Sequence, residues 1–229
     1  MKIKVSVPTS LKDIKLSQYQ KFIRTTKDSE DEMFIARQMV GIFCNLPNNI
    51  VGKISKLDFN NIVNSISEIL QEDGKFQPLI IHEGKQYGFI PKIEDITVDE
   101  QADIDSMIND WQKMDNVMGV MYRPVTVKNR YGYDIEDYKP AELDLTLDVV
   151  KGALGFFLTL LNDLLNCIQN YIVEEVRNPK ILQTLEKNGV GIKTFTNSLE
   201  ATFLSLKTLV NYDYMKHCYS YHLKPTKID

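Results

Sequence analysis

Apolar side chains recur in steps of three and four residues along segment 146–176 of this 229-residue chain. A repeat of about 3.5 residues is typical of a helix that buries one face, and here its members are Leu147, Val150, Leu154, Phe157, Leu161, Leu164, Ile168 and Tyr171. Further apolar residues widen the stripe beyond a coiled-coil seam, namely Val149, Phe156, Leu158, Leu160 and Leu165. We therefore predict a long central core helix; a helix shared with a partner subunit is the alternative.

Two β-hairpins are predicted in the middle of the chain. Short β-type runs lie on either side of Glu83-Gly84-Lys85 and again on either side of Asn129–Gly132, and both connections carry glycine. Shorter stretches with helical spacing precede and follow this section. The expected fold class is therefore mainly α: a helical bundle around the long central helix (about 146–176), with a small β-hairpin-bearing insert at about 75–140.

The domain organisation follows from the same patterns. No internal repeat or low-complexity tract is visible, so residues 1–211 are expected to form a single, mainly helical domain that includes the insert. Residues 212–229 are polar and aromatic without periodicity, and we predict an extended C-terminal tail there.

Charge and hydropathy exclude several classes of partner. The formal net charge is −4, and nucleic-acid affinity comes mostly from clustered Lys and Arg, so this balance disfavours a nucleic-acid partner. The most apolar run, Gly152–Leu161, is about half the length of a bilayer-spanning helix, and no membrane contact is expected. The three cysteines are odd in number and widely spaced, which favours free thiols in a reducing compartment.

Histidine and cysteine offer little catalytic chemistry. His82 lies in a predicted strand, and a surface position there is favoured over a general-base role. The one tight group is His217, Cys218 and His222, but its spacing fits no familiar zinc site, which needs four ligands, or three and a water. We therefore predict no catalytic residue, no cofactor and no resident metal.

The acidic residues cluster more densely than the histidines and cysteines. Asp99 and Asp103 share one face of a predicted helix, because residues four apart lie above one another, and Glu94, Asp95, Glu100, Asp105 and Asp110 lie nearby. Paired carboxylates can hold Mg²⁺ or Ca²⁺. A solvated acidic face, or a docking face for a basic partner, is favoured, and a metal-dependent enzyme that uses Asp99, Asp103 and Asp105 is the alternative from another class.

The remaining candidate residues are of types that bind other proteins. The Trp, Met, Tyr and Arg types enriched at the centre of protein interfaces occur together at Trp111, Met118, Tyr122 and Arg123. An ordinary core stripe would give the same spacing and is the alternative interpretation. Four tyrosines in the predicted tail, Tyr212, Tyr214, Tyr219 and Tyr221, would suit an arm that folds against a neighbour. Both sets are candidate partner-binding residues.

Two parts of the sequence resemble proteins of tailed bacteriophages. Residues Val7–Gln20, with Leu16-Ser-Gln-Tyr19, followed by Phe43–Leu46 and Ile54–Phe59, resemble the opening of small phage morphogenesis proteins, and tail assembly chaperones are loosely similar. Residues Asp110–Pro124 and Tyr133–Tyr138, with Gly155-Phe156-Phe157 downstream, resemble proteins from the structural gene blocks of crAss-like and other Bacteroidetes phages. The likeness covers about half to two thirds of the chain and includes no catalytic signature.

The resemblance implies a non-enzymatic virion component, associated with the portal or tail or packaged as cargo. Its expected partners are other phage structural proteins and copies of itself, and its expected location is the virion, assembled in the bacterial cytoplasm. A tail assembly chaperone that is absent from the finished particle is the alternative.

Overall fold

The structure is a computed structural model that describes residues 5–91, 96–130 and 132–175, with side chains as far as residue 162. Its helices are α1 (Leu16–Thr26), α2 (Glu32–Phe43), α3 (Asn48–Val51), α4 (Lys56–Gln71), α5 (Val98–Met107), α6 (Met114–Met121) and α7 (Leu147–Glu175). Its strands are β1 (Leu79–His82), β2 (Lys85–Phe89), β3 (Tyr122–Asn129) and β4 (Gly132–Ile135). The predicted tail at 212–229 lies outside the described residues.

The expected fold class, a mainly α helical bundle, is wrong. The described residues form a mixed α/β fold in which the strands join into a four-stranded antiparallel sheet of order β1-β2-β3-β4. The two predicted hairpins are real, but they are not separate. They are joined because β2 pairs with β3, with Gly88 opposite Arg123 and Phe89 opposite Tyr122.

The sheet belongs to the main core rather than to a peripheral insert. One of its faces turns Ile80, Phe89 and Tyr122 inward, and all three are buried. The rings of Phe89 and Tyr122 meet edge to face at 5.3 Å, and Phe76 stacks on Phe156 of α7 at 3.8 Å between ring centroids. Helices and sheet therefore share one apolar interior, which is the reason that the bundle description fails.

The first hairpin turn follows from its sequence. Glu83 and Gly84 both have positive φ, at 49° and 78°, between the paired residues His82 and Lys85. Positive φ at both central residues defines the turn whose twist matches that of the flanking strands. Gly84 adopts this conformation at no steric cost.

The long helix forms close to its predicted position, but it lies beside the α1 region. Leu147 donates its backbone N–H to Ile14 O at 2.8 Å, and Leu16 donates to Leu145 O at 2.9 Å. On the opposite side α7 meets the chain after α4, where a Cβ on Gly152 would lie 2.4 Å from the carbonyl oxygen of Lys75. This approach requires glycine, because any side chain would meet backbone.

Candidate functional site

The clearest polar feature of the described residues is an ion pair between α5 and β3. Arg123 Nη1 donates to Glu100 Oε1 at 2.7 Å, with the side chains only 12% and 2% exposed. Buried charges are usually paired, because burying an isolated charge away from water costs roughly several kcal/mol of free energy. The ion pair therefore fixes the start of α5 to the sheet.

The local sequence places Glu100 accurately. Thr97 is the N-cap of α5, and its backbone N–H and hydroxyl donate to Glu100 Oε2 at 2.6 and 2.9 Å. In return Glu100 N donates to the Thr97 hydroxyl at 3.3 Å, which completes a capping box. One oxygen of the Glu100 carboxylate thus accepts hydrogen bonds at the helix end, and the other pairs with Arg123.

A depression of about 350 Å³ lies beside the ion pair. Three carboxylates and one guanidinium are among the residues that line it, which are Ile90, Pro91, Thr97, Glu100, Arg123, Ile135, Glu136, Asp137 and Tyr138. Residues 92–95, directly after Pro91, lie outside the described residues. Arg123 Nε is buried and makes no hydrogen bond. The guanidinium is paired with Glu100, and the lining as a whole carries more negative than positive side chains.

Two further acidic residues of α5, Asp103 and Asp105, accept hydrogen bonds within the fold. The Tyr138 hydroxyl donates to Asp103, and Gln101 Nε2 donates to Asp105 Oδ1 at 2.8 Å. Burial raises the pKa of Tyr138 to about 12, and the hydrogen bond to Asp103 acts in the same direction. In the part of the chain that the structure describes, no three His, Cys, Asp or Glu residues come together as a metal site would require. Glu94 and Asp95 lie outside that part.

A second buried network lies at the start of α7. Asp148 accepts from the Thr146 hydroxyl at 2.6 Å and from Gln77 Nε2 at 3.0 Å. The Tyr122 hydroxyl donates to Gln77 O at 2.8 Å. Burial, with the charge of Asp148 nearby, raises the pKa of Tyr122 well above its ordinary range. Asp148 stands in the first turn of a helix, where a negative charge is favourable, so its role is structural.

The structure places the first set of candidate partner-binding residues inside the chain. Trp111, Met118 and Tyr122 are buried in the common core, and Trp111 meets Tyr19 edge to face at 4.9 Å. Arg123 points to Glu100. These four residues therefore present no shared surface to a partner. The second set, Tyr212, Tyr214, Tyr219 and Tyr221, lies outside the described residues.

The histidine and cysteine side chains that the structure describes offer no exposed reactive group. His82 occupies the end of β1, half-buried, with its ring 6.0 Å from that of Tyr87. Cys44 is buried, and burial raises the pKa of its thiol to about 11, which makes it a poor nucleophile. His217, Cys218 and His222 lie outside the described residues.

The sequence patterns did not predict which large apolar residues would be exposed. Large apolar side chains reach solvent on several elements: Met33, Phe34, Leu57, Ile81, Val98, Val127 and Phe156. Ile81 differs from the others because it lies on β1, a terminal strand of the sheet that the described residues form. No local signal separates it from Ile80, which is buried, since only the register of the sheet decides which of them faces outward.

Comparisons with protein-family models, with curated proteins and with solved structures found no match for this chain. Among the helices that the structure describes, none combines the length and the apolar character of a membrane span.

Proposed function

We propose that this chain is a non-enzymatic component of a tailed-bacteriophage particle, associated with the portal or tail or packaged as cargo. It acts through contacts with other phage structural proteins, or with copies of itself, while the particle assembles in the bacterial cytoplasm. The resemblance of Val7–Gln20 and Asp110–Pro124 to phage proteins supports this proposal. The assignment to a phage rests on that resemblance alone.

The structural observation that supports a contact role concerns the acidic side chains. Glu100 is bound by Thr97 and Arg123, and Asp103 is bound by Tyr138. A carboxylate that serves as general base or metal ligand must keep a lone pair open to its substrate or ion. Glu100 and Asp103 are instead used to hold α5 to β3 and to the segment after β4. Asp105 bonds to Gln101 within α5, and Asp99 is exposed.

Mass spectrometry of purified particles tests the proposal. Particles of the phage that encodes the chain are banded on a density gradient, and peptides of the chain are quantified relative to a major capsid protein. A phage replication enzyme from the same lysate serves as the negative control. We expect the chain to co-purify with particles at a fixed ratio through successive gradients, whereas loss in parallel with the replication enzyme would contradict a virion role.

The same fractions separate the assembly-chaperone alternative. A chaperone would be found with incomplete tails or heads in infected cells and would be missing from finished particles. Absence from both particles and assembly intermediates would remove both versions of the proposal.

A further inference from the structure

The two edges of the sheet are protected differently. At one edge β4 carries Asp134, and its pairing with β3 is irregular between Val125 and Val127. At the other edge β1 (Leu79–His82) contains no Lys, Arg, Asp, Glu or Pro, and its register with β2 is regular. Proteins usually block further pairing at sheet edges with charges, prolines or bulges. Those devices are missing from β1.

The register identifies which backbone groups of β1 have no partner strand among the described residues. In an antiparallel ladder, pairs that exchange hydrogen bonds alternate with pairs that do not. His82 and Lys85 close the two-residue turn and are therefore a bonded pair, and Phe89 N donates to Pro78 O at 2.9 Å in the same alternation. Leu79 and Ile81 consequently direct their N–H and C=O groups to the open edge.

The side chain of Ile81 adds an apolar contact to this edge. It is 78% exposed, although the neighbouring Ile80 is buried on the opposite face of the strand. An extended strand that pairs with β1 would satisfy the free backbone groups and would cover Ile81. The edge therefore calls for a β-strand as its partner.

We propose that this strand is β1 of a second copy of the chain, paired antiparallel about a two-fold axis at Ile81. Symmetry about this residue places Ile81 opposite itself and Ile80 opposite His82, so inward-facing residues remain on the core side of both copies. The four residues of β1 carry no Lys, Arg, Asp or Glu, so no like charges meet within the paired strands, and the exposed Ile81 side chains contact each other. Two four-stranded sheets thereby join into one.

The pairing gives the chain a partner that is defined by its own sequence. It specifies the contact between copies that the proposed function names, but it is tested on the purified protein and holds or fails independently of any phage particle. A four-residue edge buries less surface than a standard interface. We therefore expect a weak dimer that dissociates on dilution.

Sedimentation equilibrium of the full chain across a wide concentration series tests the pairing. Ile81→Lys places two ammonium groups opposite each other, and we expect the dissociation constant to rise at least about tenfold. Val98→Lys is the matched control, because Val98 is 84% exposed but lies on α5. It is expected to leave association unchanged. Circular dichroism establishes that both variants fold.

Amide hydrogen exchange gives a signature specific to this register. Protection of the Leu79 and Ile81 amides is expected to rise with protein concentration, whereas the Ile80 and His82 amides, already bonded to β2, stay constant. Three results would overturn the pairing: a wild-type chain that is monomeric throughout the series, a dimer that Ile81→Lys does not weaken, or an Ile81 amide protected equally at every concentration.

Discussion

Replacing Glu100 by glutamine removes a negative charge from the interior and leaves the shape of the side chain almost unchanged. The glutamine oxygen can still accept from Thr97, but Arg123 loses its carboxylate partner at 2.7 Å while remaining only 12% exposed. Removing one member of a buried ion pair costs about 3–5 kcal/mol, chiefly because the other charge stays buried. Arg123 keeps some access to water, so we expect a loss near the lower limit, about 3 kcal/mol.

Urea unfolding measures this loss directly. Trp111 is the single tryptophan of the chain, and it is buried against Tyr19, so its fluorescence reports the unfolding of the core in which it lies. The free energy of unfolding is obtained by linear extrapolation for the wild type and the variant. A loss below about 1 kcal/mol, the worth of an exposed pair, would refute the reasoning.

Two further variants separate charge from shape. Asp99→Asn removes a neighbouring carboxylate that is exposed in the first turn of α5, and it is expected to cost less than about 1 kcal/mol. The double variant Glu100→Gln with Arg123→Met removes both charges and keeps the acceptor for Thr97, and it should be more stable than the Glu100→Gln single variant. A double variant that is less stable than the single one would contradict the assignment of the loss to an unpaired arginine.

Three other properties are testable in the same system. Gly152→Ala is expected to destabilise the fold by about 1–3 kcal/mol, because its Cβ would meet the backbone of Lys75. Gly155→Ala lies in open space on the same helix and should stabilise the fold by about 0.5–1 kcal/mol. Urea midpoints of the two variants that move in the same direction would contradict the packing. Cys44, with its pKa raised to about 11, should be labelled by a thiol reagent at pH 8 only as fast as the chain unfolds, in a variant whose other cysteines are serine; rapid labelling of the folded chain would be inconsistent with burial. The folded pKa values of Cys44 (about 11) and Tyr138 (about 12) exceed their ordinary values of 9.0 and 10.0, so the fold favours the protonated forms. The free energy of unfolding should therefore be at its full value below about pH 9 and should fall as the pH rises towards 12. The pH dependence of the urea midpoint measures this, and a midpoint that rises between these limits would exclude it.

Local patterns predicted the elements of this fold better than their arrangement. The stripe from Leu147 to Tyr171 has helical spacing, and the Glu83-Gly84 turn needs positive φ; both signals are carried by residues close in sequence. The pairing of Phe89 with Tyr122 joins residues far apart in the chain, and no local period encodes it. This single ladder changes the fold from a bundle with an insert to a mixed α/β core.

Proline is accommodated inside the sheet, because Pro124 is the third residue of β3. Pro124 is the last residue of the β2–β3 register, opposite Tyr87. A residue without an N–H is tolerated there because the ladder ends at that point.

The candidate site shows the same limit. Trp111, Met118 and Tyr122 have the residue types of an interface and of a core, and spacing alone does not distinguish the two. The position of Arg123 was not predictable because its partner lies on another element. A usable signal was the Thr97-x-x-Glu100 capping box, which fixes Glu100 at the start of a helix.

A contact role in particle assembly is tested most directly by removing the chain from an otherwise intact infection. Phage whose gene for the chain carries an early stop codon are grown in a non-suppressing host, with and without the chain supplied from a plasmid. Particles are then counted by electron microscopy, and infectivity is measured per particle. We predict incomplete particles or a loss of infectivity that the wild-type chain restores, whereas complete, fully infectious particles at normal yield would contradict the proposed role.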